Sequence, residues 1–115
     1  MPRLAGLAER IDELNAQLGM NQAQFAEALH VQPRTVDRWR AETAFPQHES
    51  RQRLEALMAL VDRLGESFKT PADAAHWLHA ESAYFGGLRP VDALLRGRFD
   101  LVDAALEAMD SGVFV

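Results

Sequence analysis

The sequence predicts an all-α fold of about seven helices, with an N-terminal helix-turn-helix bundle followed by a C-terminal helical module. Three observations carry that expectation. Apolar residues recur at threes and fours along most of the chain, as in Leu4, Leu7, Ile11, Leu14 and Leu18, and no segment sustains the alternation of a strand. Caps and breakers punctuate these runs at intervals suited to short helices: Asn21, Pro33, Thr70-Pro71 and Pro90 as starts, Gly19, Gly97 and Gly112 as stops. The bulk numbers agree, because 115 residues with 48% hydrophobic and 25% charged suit one small domain or two very small ones sharing a core.

In chain order, the first amphipathic helix ends at Leu18, where Gly19 stops it. Asn21, with Gln24 three residues on, forms a capping box and opens a second helix that turns Phe25, Ala26 and Leu29 inward. His30-Val31-Gln32 is a short turn. Pro33 then takes the first position of a third helix, where a missing N–H costs nothing, and Val36 and Trp39 face the core. Thr43 to Glu49 is a polar connector. A fourth helix is expected from about Ser50 to Leu64, with Leu54, Leu57, Met58, Val61 and Leu64 on one face and a break over Gly65 to Lys69. Thr70 caps a fifth helix reaching about Glu81. Gly86-Gly87 forces a turn, Pro90 begins a short sixth helix ending at Gly97, and the last helix covers Asp100 to Ser111. An apolar tail follows, Val113-Phe114-Val115. The expected division is residues 1–48, a connecting helix over 49–69, and a module over 70–115.

Composition narrows the function classes. The absence of cysteine removes disulfides and thiolate metal sites and suits a reducing compartment. Arg3, Glu9, Arg10 and Asp12 interrupt the apolar positions at the start, unlike a secretory signal. The longest wholly apolar run, Leu57 to Val61, is far short of the ~20 residues of a membrane span. A cytoplasmic protein with no membrane partner is expected. The net charge of −5 is unhelpful to a nucleic-acid binder, yet its distribution is uneven. Residues 30–40 hold Arg34, Arg38 and Arg40 against Asp37 alone, whereas residues 70–115 hold three arginines against seven acids. The first segment can face phosphate; the second suits a basic protein partner.

Two short helices joined by a three-residue turn are what a helix-turn-helix needs to lay its second helix in the major groove. In this frame Gln32, Arg34, Thr35 and Arg38 face outward near the start of the third helix. Arginine bonds guanine edges and glutamine adenine edges in bidentate fashion. Gln22 marks a helix N-terminus able to receive a phosphate, and Arg40 is placed as a backbone contact. Asn21 through Leu29 and Val36-Asp37-Arg38-Trp39 resemble the Xre/Cro-type helix-turn-helix. The plain alternative is a scaffold or dimerisation unit with solvated arginines. One copy reads too few bases for useful specificity, so a homodimer or larger assembly is implied.

The C-terminal half carries a second resemblance. Trp77-Leu78, Gly86-Gly87, Arg89 through Leu95, Gly97, Val102, Leu106 and Gly112-Val113-Phe114-Val115, in that order, resemble the toxin-binding domain of Xre/MbcA/ParS-type antitoxins over roughly Ala72 to Val115. Where the family often has proline-asparagine, this chain has Glu81-Ser82. The resemblance implies a type II antitoxin that binds a RES-domain toxin, an NAD⁺-consuming enzyme, obstructs its active site, and represses its own operon by contacting operator DNA. Trp77, Arg89, Gly112, Val113, Phe114 and Val115 become the candidate toxin contacts. Phe114 and the terminal carboxylate suit a plug into a concave site; the plain alternative folds Phe114 back onto the last helix. Two further functions remain open: a stand-alone transcriptional regulator whose C-terminal half dimerises it, and a localisation adaptor using the same module for another partner.

The remaining signals read blandly. Trp77 is first a core residue. His76 and His79, three apart, lack the neighbouring carboxylates of a metal site. Asp100, Asp103, Glu107 and Asp110 form one acidic stripe, of the kind usually solvated, and Arg89, Arg96 and Arg98 suit ion pairs or an interface rim. No nucleophile, base and acid cluster and no phosphate-binding glycine loop is present, so no catalysis and no cofactor are expected.

Overall fold

A computed structural model describes residues 6–112, and within them the fold is seven α-helices with no strand. They are α1 (Leu7–Leu18), α2 (Gln22–Leu29), α3 (Pro33–Arg40), α4 (His48–Ser67), α5 (Pro71–His79), α6 (Pro90–Leu95) and α7 (Phe99–Asp110), with a single 3-10 turn over Ala83–Phe85. Leu4 and the tail Val113-Phe114-Val115 lie outside the described residues. No described helix is long and apolar enough to cross a membrane.

The predicted caps do their work locally. Asn21 Oδ1 accepts from the Gln24 N–H at 2.8 Å while Gln24 Oε1 accepts from the Asn21 N–H at 2.9 Å. Thr70 Oγ1 accepts from the Asp73 N–H. Gly19 ends α1 at φ 65°, where any Cβ would strain the backbone.

Helix α4 differs from the expectation. It begins at His48 and continues through Gly65 and Glu66 to Ser67, so Gly65 is an interior residue and the helix ends at extended Phe68. One glycine weakens a helix by only about 1 kcal/mol against alanine, and Leu57, Leu60 and Leu64 are buried on either side of that point. Packing therefore carries the helix across the weak position. Helix α5 also stops sooner than expected, at His79 rather than near Glu81.

Both halves contribute to one core. Ile11, Leu18, Phe25, Leu29, Leu57, Leu60, Leu78, Leu94 and Leu106 are all essentially inaccessible and belong to a single cluster. Helix α1 touches α3, α4 and α5, and α2 touches α6 as well as α3. Two histidines reinforce these crossings. His79 Nε2 donates to the Leu18 carbonyl at 2.9 Å, and His30 Nε2 donates to the Arg96 carbonyl at 3.3 Å. In each place a glycine makes room: a Cβ at Gly19 would stand 2.9 Å from His79 Nε2, and one at Gly97 would stand 2.6 Å from His30 Nε2.

Two candidate binding surfaces

The first surface is built by α2, its turn and α3. Gln32 is the extended residue before α3 and is exposed, as are Arg34 and Arg38; Thr35 is half-buried. Neither Arg34 nor Arg38 has a carboxylate partner among the described residues. Asp37, the one acid of α3, accepts a hydrogen bond from the Gln22 side-chain amide, which joins α2 to α3. Gln22 is thus engaged within the fold. Arg40 is engaged too: it bonds Asp12 of α1 at 2.6 Å, with a second contact at 3.4 Å. The Arg40 guanidinium holds the Asp12 carboxyl below its ordinary value, and Asp12 in turn raises Arg40. A phosphate reaching Arg40 would compete with that carboxylate.

The second surface lies between the 3-10 turn, α6 and the start of α7. Ser82 caps the 3-10 turn, its Oγ accepting from the Tyr84 N–H and its carbonyl from the Gly87 N–H. Gly86 and Gly87 supply the positive φ angles, 68° and 91°, that turn the chain back. The loop presents Leu88, 52% exposed, and Tyr84, whose ring packs edge-on against Phe85 at 5.3 Å. They border a recess of about 350 Å³ together with Arg89, Arg96 and Leu101. Arg89 is pinned: Asp92 accepts from both its N–H and its guanidinium. That guanidinium holds the Asp92 carboxyl below the usual carboxylate value. Arg98 holds Asp100 in the same way.

Trp77 packs into the fold rather than being presented by it. It is half-buried, joins the core cluster, and its ring centroid lies 5.7 Å from that of Phe68. Gly112 follows α7 at φ 74° and is exposed. Val113, Phe114 and Val115 fall beyond the described residues. What the sequence reading missed is how α7 is fastened. Arg63 bonds Glu107 at 2.8 Å and Asp110 at 3.3 Å, and the Ser67 hydroxyl donates to Asp110 at 2.8 Å. Two acids of the predicted stripe therefore anchor the end of α7 to α4. These partners are more than forty residues apart, and no local pattern announces them. Among the described residues no three His, Cys, Asp or Glu side chains gather in a way that could hold a metal ion.

These surfaces define an all-helical protein with one outward basic helix and one loop-and-helix face on which Arg89 and Arg98 are paired with carboxylates. Residues 59–112 match the family described as the antitoxin Xre/MbcA/ParS C-terminal toxin-binding domain, a match that begins inside α4. The chain is 34% identical to the probable mycobacterial cidal antitoxin Rv3188 of Mycobacterium tuberculosis, across 100% of this chain and 96% of that protein. It is 31% identical to the mycobacterial cidal antitoxin MbcA of Mycobacterium bovis, across 95% of this chain and 96% of that one. Among solved structures it is similar to a chain of the M. tuberculosis MbcT–MbcA toxin–antitoxin complex, with a TM-score of 0.69 and 28% identity over 97% of this chain and 100% of that chain. The chain belongs to the Xre/MbcA/ParS antitoxin family. Antitoxins act by binding, and it is accordingly not an enzyme.

Proposed function

We propose that this protein is a cytoplasmic antitoxin that binds a cognate RES-domain toxin and obstructs its NAD⁺-consuming active site. The observation that carries the reading is the end-to-end similarity to named antitoxins, in which both halves of the chain take part. The toxin-binding module is residues 70–115, with the connecting helix over 49–69 as its support. Trp77 acts from within the module as packing, Arg89 borders the exposed loop, and Gly112 releases Val113-Phe114-Val115 as the plug. The Arg63 and Ser67 bonds to the end of α7 favour this, because they fix the point from which the tail departs.

Residues 1–48 contact operator DNA, as dimers or in a larger assembly with the toxin, and so repress the operon. Arg34 and Arg38 read bases, with Gln32 and Thr35 beside them; Gln22 and Arg40 lie at the phosphate edge. The exposed Arg34 and Arg38 of α3, without carboxylate partners among the described residues, support this role. The test is co-expression with the protein encoded next to this one, co-purification, and an NAD⁺-consumption assay. A silent complex beside an active free partner is the expected outcome. A partner that remains fully active in the complex would move the reading to a stand-alone regulator.

A further inference from the structure

The module over residues 70–115 is acidic, with three arginines against seven acids, yet its cations are not spread over it. Arg89, Arg96 and Arg98 all border one recess, that of about 350 Å³ between the 3-10 turn, α6 and the start of α7. Asp92 is the one acid on its walls. A group entering here meets positive charge where the rest of the module offers negative.

The three arginines are not equivalent. Arg89 gives its Nε and Nη2 to Asp92, at 3.3 and 2.9 Å. Arg98 gives the same two atoms to Asp100, at 3.1 and 3.0 Å. Arg96 is exposed, and among the described residues its guanidinium forms no ion pair. Its backbone carbonyl, not its side chain, meets His30. The Asp92 carboxyl is held below its ordinary value mainly by Arg89 and more weakly by Arg96, so Arg96 lies near that pair without joining it. Its fork of donors is unspent.

Tyr84 and Leu88 form the apolar wall of the recess, with Phe85 edge-on against the Tyr84 ring. Low-dielectric walls beside a charge exclude water and focus its field. A guanidinium is a planar fork that matches one carboxylate in a bidentate pair. A di- or triphosphate spreads its charge over more oxygens and calls for several free cations, and two of the three here are already spent. One carboxylate, with an apolar group beside it on Tyr84 and Leu88, fits what is left. A protein surface without such a carboxylate would bury Arg96 unpaired at a cost, so the same residue also rejects wrong partners.

We propose that this recess is a socket for an acidic side chain of the protein partner, its carboxylate paired with Arg96 and an apolar neighbour resting on Tyr84 and Leu88. The socket rests on the reading of residues 70–115 as toxin-binding and adds the chemistry of the group they take. The test is calorimetry of the full chain, parent and variants, with the protein encoded next to it, over a range of salt. Arg96→Ala weakens the complex about 10- to 100-fold and flattens its salt dependence. Arg96→Glu weakens it further, and Arg96→Lys stays within about 5-fold of the parent because the charge is kept and the fork lost. Arg51→Glu makes the same charge change at the exposed start of α4 and leaves affinity within about 2-fold. The Arg96 variants keep the parent's thermal midpoint, since only an exposed side chain changes and the carbonyl still meets His30. A parent complex indifferent to Arg96→Ala and Arg96→Glu overturns the socket alone; a parent chain that forms no complex overturns the functional reading and the socket with it. ADP and inorganic phosphate, titrated onto the free chain, are expected to leave the amide signals of residues 84–98 unmoved up to about 1 mM. Saturable shifts there that vanish in Arg96→Ala assign the recess to a free anion and likewise overturn the proposal.

Discussion

On the α2–α3 face Arg34 and Arg38 are exposed without carboxylate partners among the described residues, and the only acid of α3 is occupied by Gln22. On the C-terminal side Arg89 is held by Asp92 and Arg98 by Asp100, while α4 contributes Arg63 to Glu107 and Asp110. Its exposed large apolar residue is Leu88, 52% exposed, on the loop beside Arg89. The proposed function reads this contrast as two kinds of recognition within one small molecule. A polyanion is met by cations kept available, since its counterions are released on contact. A protein partner is met more cheaply by charges already paired at home, as Arg89 and Arg98 are, since an unpaired charge buried in an interface costs more than it returns.

Four measurements break or sharpen that contrast. Removing Val113 to Val115 is expected to have the largest effect. Loss of an aromatic anchor costs roughly 2–4 kcal/mol, or about 30- to 1000-fold in toxin affinity. DNA binding and the thermal midpoint should stay unchanged. An NAD⁺-consumption titration checks this; full inhibition by the truncated chain would remove the tail from the site. Next, Arg34→Ala with Arg38→Ala should weaken operator binding by about 10- to 100-fold and make the salt dependence shallower, with toxin inhibition intact. A filter-binding series over salt reads both quantities. Should the double variant instead spare DNA and impair inhibition, the assignment of the two faces is reversed.

Arg63→Ala comes third. It leaves Glu107 and Asp110 without their cation and loosens the end of α7 from α4, so faster amide exchange is expected over residues 106–112 with little change in α2 and α3. Exchange that rises equally in both halves would show that the staple supports the whole core and not the tail alone. The smallest effect concerns Asp12 and Arg40. Because Arg40 holds the Asp12 carboxyl below its ordinary value, the pair stabilises the fold above the unfolded carboxyl value of about 3.9. That stability is lost as pH falls through the lower folded value. Asp12→Asn should therefore have a slightly lower thermal midpoint than the parent at neutral pH and the same midpoint in strong acid. A constant gap across pH would mean that the effect is packing and not charge.

Most of the helices could be read from the chain because their signals are local. The Asn21–Gln24 box, the Thr70 cap, Pro33 and the apolar spacing each act within a turn or two of where they stand. Gly65 misled for the opposite reason: its local weakness is overruled by leucines buried against other helices. The candidate surfaces divide along the same line. The outward face of α3 follows from helical phase once Val36 and Trp39 are taken as core. The engagement of Arg40 by Asp12, and of the α7 acids by Arg63, depends on helices far apart in sequence and leaves no periodic trace. His79 is similar, for nothing local announces that its contact is the end of α1.

The two close contacts at Gly19 and Gly97 bear on how such proteins can change over time. Each pairs a glycine in one half with a histidine from the other, and a methyl group at either glycine would collide with the ring. A recombinant gene joining residues 1–69 of this chain to the remainder of a relative would have to bring a matching residue for His30 and for Gly19 at the same moment. In this chain the partner surfaces can therefore change one side chain at a time, whereas an exchange of halves has to carry the two glycine–histidine fits with it.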